Sequence, residues 1–264
     1  MTKFKIAAFC VIVTLAEFSL TPQEKVKPTA KNWSYGTAVL LRAGQWETGI
    51  FQQFRFGLND NLEIHSSLLL LPLIPNAGIK VSLGTMKGFT FASDHVLSYP
   101  TVFLNLVSRK GIGGLIPPEF DFPFVLSFGN SILVSRAAGK KTLVTAYAGI
   151  YFSIRTGKPD PQSTFDLPLV YPRMSHYYSG PAFRYGLSCR GAIVKRFCFD
   201  QGIQFFSITG NRNNFFAENT GSVLWSSNRL GIKAGYILSY GKYPFGTHWQ
   251  MWPSIDLIFG SKKN

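Results

Sequence analysis

Charge is scarce in this chain of 264 residues: Asp, Glu, Lys and Arg together make up 15%. Ordinary soluble domains carry roughly 25%, so the surface is not one built to face water all round. Acid is the scarcer sign, with 13 Asp and Glu against 27 Lys and Arg, a formal net charge of +14. The basic residues are nevertheless dispersed. No cluster is longer than Lys140-Lys141 or Lys262-Lys263, which argues against a nucleic-acid partner, since such proteins gather cations on one face or stripe. Long apolar runs are missing too. The stretch between Lys5 and Glu17 is too short to cross about 30 Å of hydrocarbon as a helix. With 4 His and 3 Cys there is no metal-ligand spacing, nucleophile elbow or phosphate loop. The chain is therefore read as not an enzyme, with no catalytic residue, metal or cofactor assigned. His65-Ser66, Asp94-His95 and Ser175-His176 supply a nucleophile's residue types, but neighbours along a strand face opposite sides and do not make a triad.

What the chain does have is alternation. From Leu230 to Tyr240 the even positions are Leu, Ile, Ala, Tyr, Leu and Tyr, while Gly231, Lys233, Gly235 and Ser239 hold odd ones. Ala77, Ile79, Val81 and Leu83 likewise alternate with Gly78, Lys80, Ser82 and Gly84. Period two means strands with one greasy and one wet face. Hydrophobic residues reach 46% and aromatics 15%, spread over every second position rather than concentrated in runs. A secreted β-sandwich has a similar composition. The number and length of the segments point instead to an all-β, transmembrane, antiparallel up-and-down β-barrel.

The chain divides as follows. Residues 1–20 have the form of a secretory signal: Lys3 and Lys5, an apolar core Ile6–Leu15, then Ala16. Residues 21–34, with Pro22 and Pro28, form a periplasmic lead-in; 35–260 form the barrel; 261–264 are a short basic tail. Cys189 and Cys198 fall on opposite faces, which excludes a bridge between them. About twelve strands fit, with ten or fourteen as the neighbouring counts. They begin with Thr37–Arg42, a loop at Gly44-Gln45 and a second strand Glu47–Gly57. They end with Leu230–Tyr240 and Thr247–Phe259. Two long interruptions, Tyr99–Pro123 (with a short helix over Thr101–Lys110) and Thr156–Gly180, fall where connections face outward. The short ones, such as Gly57–Asn61, Thr85–Gly88 and Lys195-Arg196, fall on the periplasmic side. Trp46, Tyr99, Tyr243 and Trp249 are expected at the outer interface, and Phe56, Phe197, Trp225 and Phe259 at the inner. Pro253 lies inside the last strand, where a bulge is expected to absorb it.

The final segment, Trp249 to Phe259, resembles the closing strand of Gram-negative outer-membrane β-barrel proteins, with five residues beyond the terminal aromatic. That resemblance implies the cell outer membrane as location, its lipid as surroundings and the barrel-assembly machinery as a partner in biogenesis.

Charges cannot face lipid without cost, about 2–4 kcal/mol for Lys or Arg at the midplane. The alternation therefore turns Arg55, Glu63, Lys80, Arg184, Arg190, Asp200, Lys233 and Asp256 toward the lumen, with His65 and Arg155. Unpaired beside water, these would set ion selectivity; paired, they would plug the barrel. The basic excess suggests a narrow channel or solute-uptake pore with mild anion preference. A structural or surface-interaction barrel with a shut interior is the alternative, and a barrel-embedded hydrolase is less favoured.

Overall fold

A computed structural model describes residues 34–108, 122–139, 141–160, 167–210, 215–243 and 246–261. The signal, most of the lead-in, the turns between Gly111 and Pro118 and the end of the tail lie outside the described residues. The strands are β1 Trp46–Gly49, β2 Phe54–Asn59, β3 Leu62–Ser66, β4 Asn76–Met86, β5 Phe89–Ser98 and β6 Val125–Ala137. They continue with β7 Thr142–Arg155, β8 Ala182–Val194, β9 Phe197–Ile208, β10 Phe215–Ser226, β11 Leu230–Tyr243 and β12 Gly246–Gly260. Two helices interrupt them, α1 Thr101–Val107 and α2 Tyr171–Tyr178. Each strand pairs antiparallel with its neighbours in sequence, and β1 pairs with β12 to close the barrel.

The closed sheet leaves its apolar residues outside. Val144, Leu187, Ile203, Val223, Ile232 and Ile255 are exposed, while Glu63, Lys80, Thr145, Glu218 and Ser239 are buried inside. This inversion of a soluble protein defines a transmembrane β-barrel of the outer-membrane type, because only a closed sheet satisfies its backbone in hydrocarbon. Connections after even-numbered strands are short turns at the end where β1 begins and β12 finishes, the terminal end. Connections after β5 and β7 are long and lie at the other end.

Glycines let rings lie flat inside and outside this wall. Gly241 pairs with Phe216 across β10 and β11, and a Cβ on it would sit 2.1 Å from that ring. Phe216 is fully buried and packs on Tyr171 and Tyr243.

The count of twelve hides two compensating differences from the sequence reading. Thr37–Arg42 is not in the wall, and Glu47–Gly57 is not one strand but β1, a tight connection at Ile50–Gln53 and β2. Residues 34–45 fill the lumen instead, with Ala38, Leu40 and Leu41 buried there. The run Ala38–Leu41 is apolar as a buried strand would be, but its neighbours are inside the barrel. Gly44, with φ +74°, turns the segment out at the terminal end, where its N–H bonds Gly57 O at 2.8 Å. Trp46 consequently sits at the terminal end beside Phe56, not at the outer interface. Tyr243 points inward rather than to lipid and is buried.

The wall is also uneven. β1, β2 and β3 have 4, 6 and 5 residues, whereas β6 to β12 have 12 to 15. About 9–11 tilted residues are needed to cross hydrocarbon. β12 pairs with β11 from Gly246 to Gly260, but with β1 only at Ile258, Phe259 and Gly260. One further bond runs from Ile50 N to Leu257 O. Among the described residues, no strand pairs with the other edge of β12 from Gly246 to Asp256. The register of β11 and β12 runs without a shift past Pro253, so there is no bulge. Hydrogen-bonding groups of successive residues point to alternate sides of a strand. Because Leu257 O faces β1, the nitrogen of Pro253 faces the same open edge, where no ladder bond is lost.

Candidate functional site

The lumen is occupied from both ends by the chain itself. From the terminal end the segment 34–45 is anchored by charges on the first strands. Glu63 Oε2 accepts the backbone N–H of Leu41 at 2.9 Å, and Arg55 holds Glu63 through Nε at 2.8 Å and Nη2 at 3.0 Å. Arg55 Nη2 also donates to Ser34 Oγ at 2.8 Å. Lys80 Nζ donates to the carbonyls of Ser34 and Val39 at 3.2 and 3.0 Å. Across the lumen Ala38 N donates to Ser135 Oγ at 2.9 Å, and Arg190 Nη1 donates to Tyr35 O at 2.8 Å. Burial pushes the Tyr35 hydroxyl up from its ordinary value, with Arg184, Arg55 and Arg190 pulling the other way. That side chain is neutral.

From the outer end α2 lies across the barrel mouth. Its Arg173 grips Glu218 of β10 with two bonds of 2.6 and 2.7 Å, and Gln204 donates to the same carboxylate. His176 Nε2 meets Ser127 Oγ at 2.7 Å, and burial alone holds this imidazole down at about 3. A histidine kept neutral to that degree is a poor general base, so the pair anchors the helix rather than activating the serine. Met174 and Tyr177 join Leu104 and Val107 of α1, with Val125, in one apolar cluster. Proline at the second residue, Pro172, starts α2 with a fixed φ.

The eight charges assigned to the lumen form four groups rather than one patch. Arg55, Glu63 and Lys80 hold the plug. Arg190 and Lys233 share Asp200, with Nη2 at 2.6 Å and Nζ at 3.1 Å from Oδ2. Asp256 Oδ1 and Oδ2 accept the backbone N–H groups of Phe51 and Gln52 at 3.0 and 2.9 Å, tying the β1–β2 connection to β12. Arg184 binds neutral Gln204 at 2.7 Å and lies over the Phe206 ring. His65 meets Asp94 at 2.7 Å, and Arg155 donates to the carbonyls of Tyr177 and Ser179.

The functional residues that sequence reasoning missed are those supplied by the fillings: Ser34, Tyr35, Arg173 and His176. Arg173 and His176 sit three apart on one helical face of a segment read as an irregular loop, and that spacing was the available signal.

Two voids remain. One of about 420 Å³ borders the open edge and is lined by Tyr35, Gln52, Lys233, Pro253, Ile255 and Asp256, among others. The second, about 210 Å³, lies beneath α2 beside Ser127, His176 and Arg184.

No family model and no curated protein sequence matches the chain. Among solved structures it is similar to the outer membrane channel DcaP of Acinetobacter baumannii at 6% identity and TM-score 0.40, covering 79% of this chain and 61% of that one. It is also similar to the CymD monoaromatic hydrocarbon channel at 10% identity and TM-score 0.36, covering 82% of this chain and 51% of that one. With the Pseudomonas putida toluene transporter TodX the identity is 11% and the TM-score 0.34, covering 82% of this chain and 77% of that one.

Proposed function

We propose that the protein is a narrow solute-uptake channel of the outer membrane, exported by its N-terminal signal and gated by its own segment 34–45. The observation that carries this reading is the nature of the filling. A barrel packed by wall side chains is closed for good, whereas this lumen is filled by a length of chain held through a few polar anchors. Withdrawal of that segment frees Lys80 of both its carbonyl partners and Arg190 of one. With Arg184 already lacking a carboxylate partner among its described hydrogen bonds, this favours a mild preference for anions in the open state.

The second reading, a shut barrel whose outer face binds a partner, is favoured by the carboxylate pairing of Arg55, Arg190 and Lys233. Planar-bilayer conductance separates the two. A channel gives discrete steps, more frequent after deletion of residues 34–41, with anion-over-cation permeability reduced by Arg184→Glu. Silence of both proteins, with folding shown by heat-modifiable migration, would leave the shut barrel standing.

A further inference from the structure

The outer half of the wall beside β12 has no described strand to fill it. β1 meets β12 only at Ile258, Phe259 and Gly260, beside the short turns, so the unpaired length of β12 runs from there toward the opposite, outer end. An open sheet edge does not survive in hydrocarbon unless it is paired or lines a water-filled cavity. Two features favour water. Pro253 places a missing donor in the middle of this edge, where an added strand would need one. The void of about 420 Å³ lies against the same edge.

We propose that this breach is a wetted side opening between lumen and outer leaflet, and that it admits small amphiphiles with an apolar body and a polar head. Its chemistry is graded. At depth stand Lys233, Asp200, Asp256 and Gln52, and at the lips Phe51, Pro253 and Ile255. Phe51 and Ile255 are 68% and 65% exposed, although Phe51 belongs to a connection tied inward by Asp256. The volume is in the range of small-molecule sites, about 300–1,000 Å³. Beyond β3 the connection Ser67–Pro75 carries Leu68, Leu69, Leu70 and Leu71, all exposed. Its backbone N–H groups at Leu70, Leu71, Leu73 and Ile74 are bonded within the loop, as a segment at membrane depth requires. Passage of the amphiphile into the cell rests on the channel reading; the opening itself does not.

Trp252 tests it, because it pairs with inward-facing Ile237 yet is 39% exposed. The full chain, with Trp33, Trp46, Trp225 and Trp249 replaced by Phe, is reconstituted in vesicles of phosphatidylcholine brominated on its acyl chains. Trp252 emission is expected to be quenched, though less than that of lipid-facing Trp249 in the matching single-Trp protein, because acyl bromines reach it only from the lipid bordering the wetted opening. If the fourfold variant does not refold, the difference between wild type and Trp252→Phe reports the same residue. In a second arm 12-bromododecanoate is added to unbrominated vesicles. Saturable quenching of Trp252, weakened several-fold by Lys233→Gln, is expected for an amphiphile inside the void. Quenching by brominated lipid alone would overturn the amphiphile site and leave only lipid at the breach. Trp252 shielded from both probes would overturn the opening and mean that the edge is covered by protein. A silent bilayer recording with quenched Trp252 would defeat the channel reading and spare the opening.

Discussion

Lys80→Met isolates the contribution of one anchor to closure of the lumen. The side chain is buried, and its ammonium donates to two carbonyls of the plug, those of Ser34 and Val39, while the wall pair Arg55–Glu63 is left intact. A hydrogen bond to a charged group contributes about 1.5–3 kcal/mol, giving about 3–6 kcal/mol for both. Water entering the lumen recovers roughly half of that for the freed carbonyls, leaving about 1.5–3 kcal/mol. At about 1.4 kcal/mol per factor of ten, the undocked population rises about ten- to a hundredfold. Two assays read this. Open probability in planar bilayers should rise by that order. Ala38→Cys, fully buried in the docked plug and placed in a background without Cys189 and Cys198, should label faster with a membrane-impermeant thiol reagent. A folded Lys80→Met protein with unchanged labelling and open probability would refute the idea that Lys80 latches the plug.

Acid should loosen the outer helix. His176 sits at about 3 in the folded protein against an ordinary 6.5, so the unfolded or undocked state binds more protons between those values. Docking is unaffected above pH 6.5, weakens by roughly 2 kcal/mol at pH 5 and goes on weakening toward pH 3. Reactivity of a Ser175→Cys protein across that range should follow this curve, and His176→Gln should flatten it. Topology is checked by labelling intact cells: Lys158→Cys in the long β7–β8 connection should react, and Ala138→Cys in the β6–β7 turn should react only after the outer membrane is ruptured. The open edge predicts an asymmetry along β12. Ile255→Pro, whose N–H faces the gap, should refold nearly as wild type, while Ser254→Pro, which faces β11, should lose a ladder bond and much of its heat-modifiable fraction.

Strands β4 to β12 were legible in the sequence because each has one face toward lipid and one toward the lumen, and period two records both. What local pattern does not record is whether an apolar segment lies in the wall or inside it. Thr37–Arg42 reads as a strand because Ala38 to Leu41 are all apolar, but the run packs within the barrel while its carbonyls meet Lys80, a contact 41 residues away in sequence at Val39. The short strands β1 and β2 were read as one strand for a related reason: a tight connection at Ile50–Gln53 held by the Asp256 side chain carries no glycine or proline signal, its partner being more than 200 residues distant. Pairing between the charges was a matter of register, which local pattern leaves open. Lys233 opposite Asp256 across the ladder bonds Asp200 of β9 instead.

The position of the plug's anchors bears on how the protein is put together. Arg55, Glu63 and Lys80 belong to β2, β3 and β4, immediately after the plug in the chain. The segment can therefore settle against these strands as soon as they pair, over short loops with small closure entropy. The seam between β1 and β12 joins residues at opposite ends of the chain through three paired positions, and contacts of such separation form late. The plug is thus wrapped rather than threaded. During assembly the sheet curls around a segment already in place, so the first docking of the plug does not wait for a finished pore.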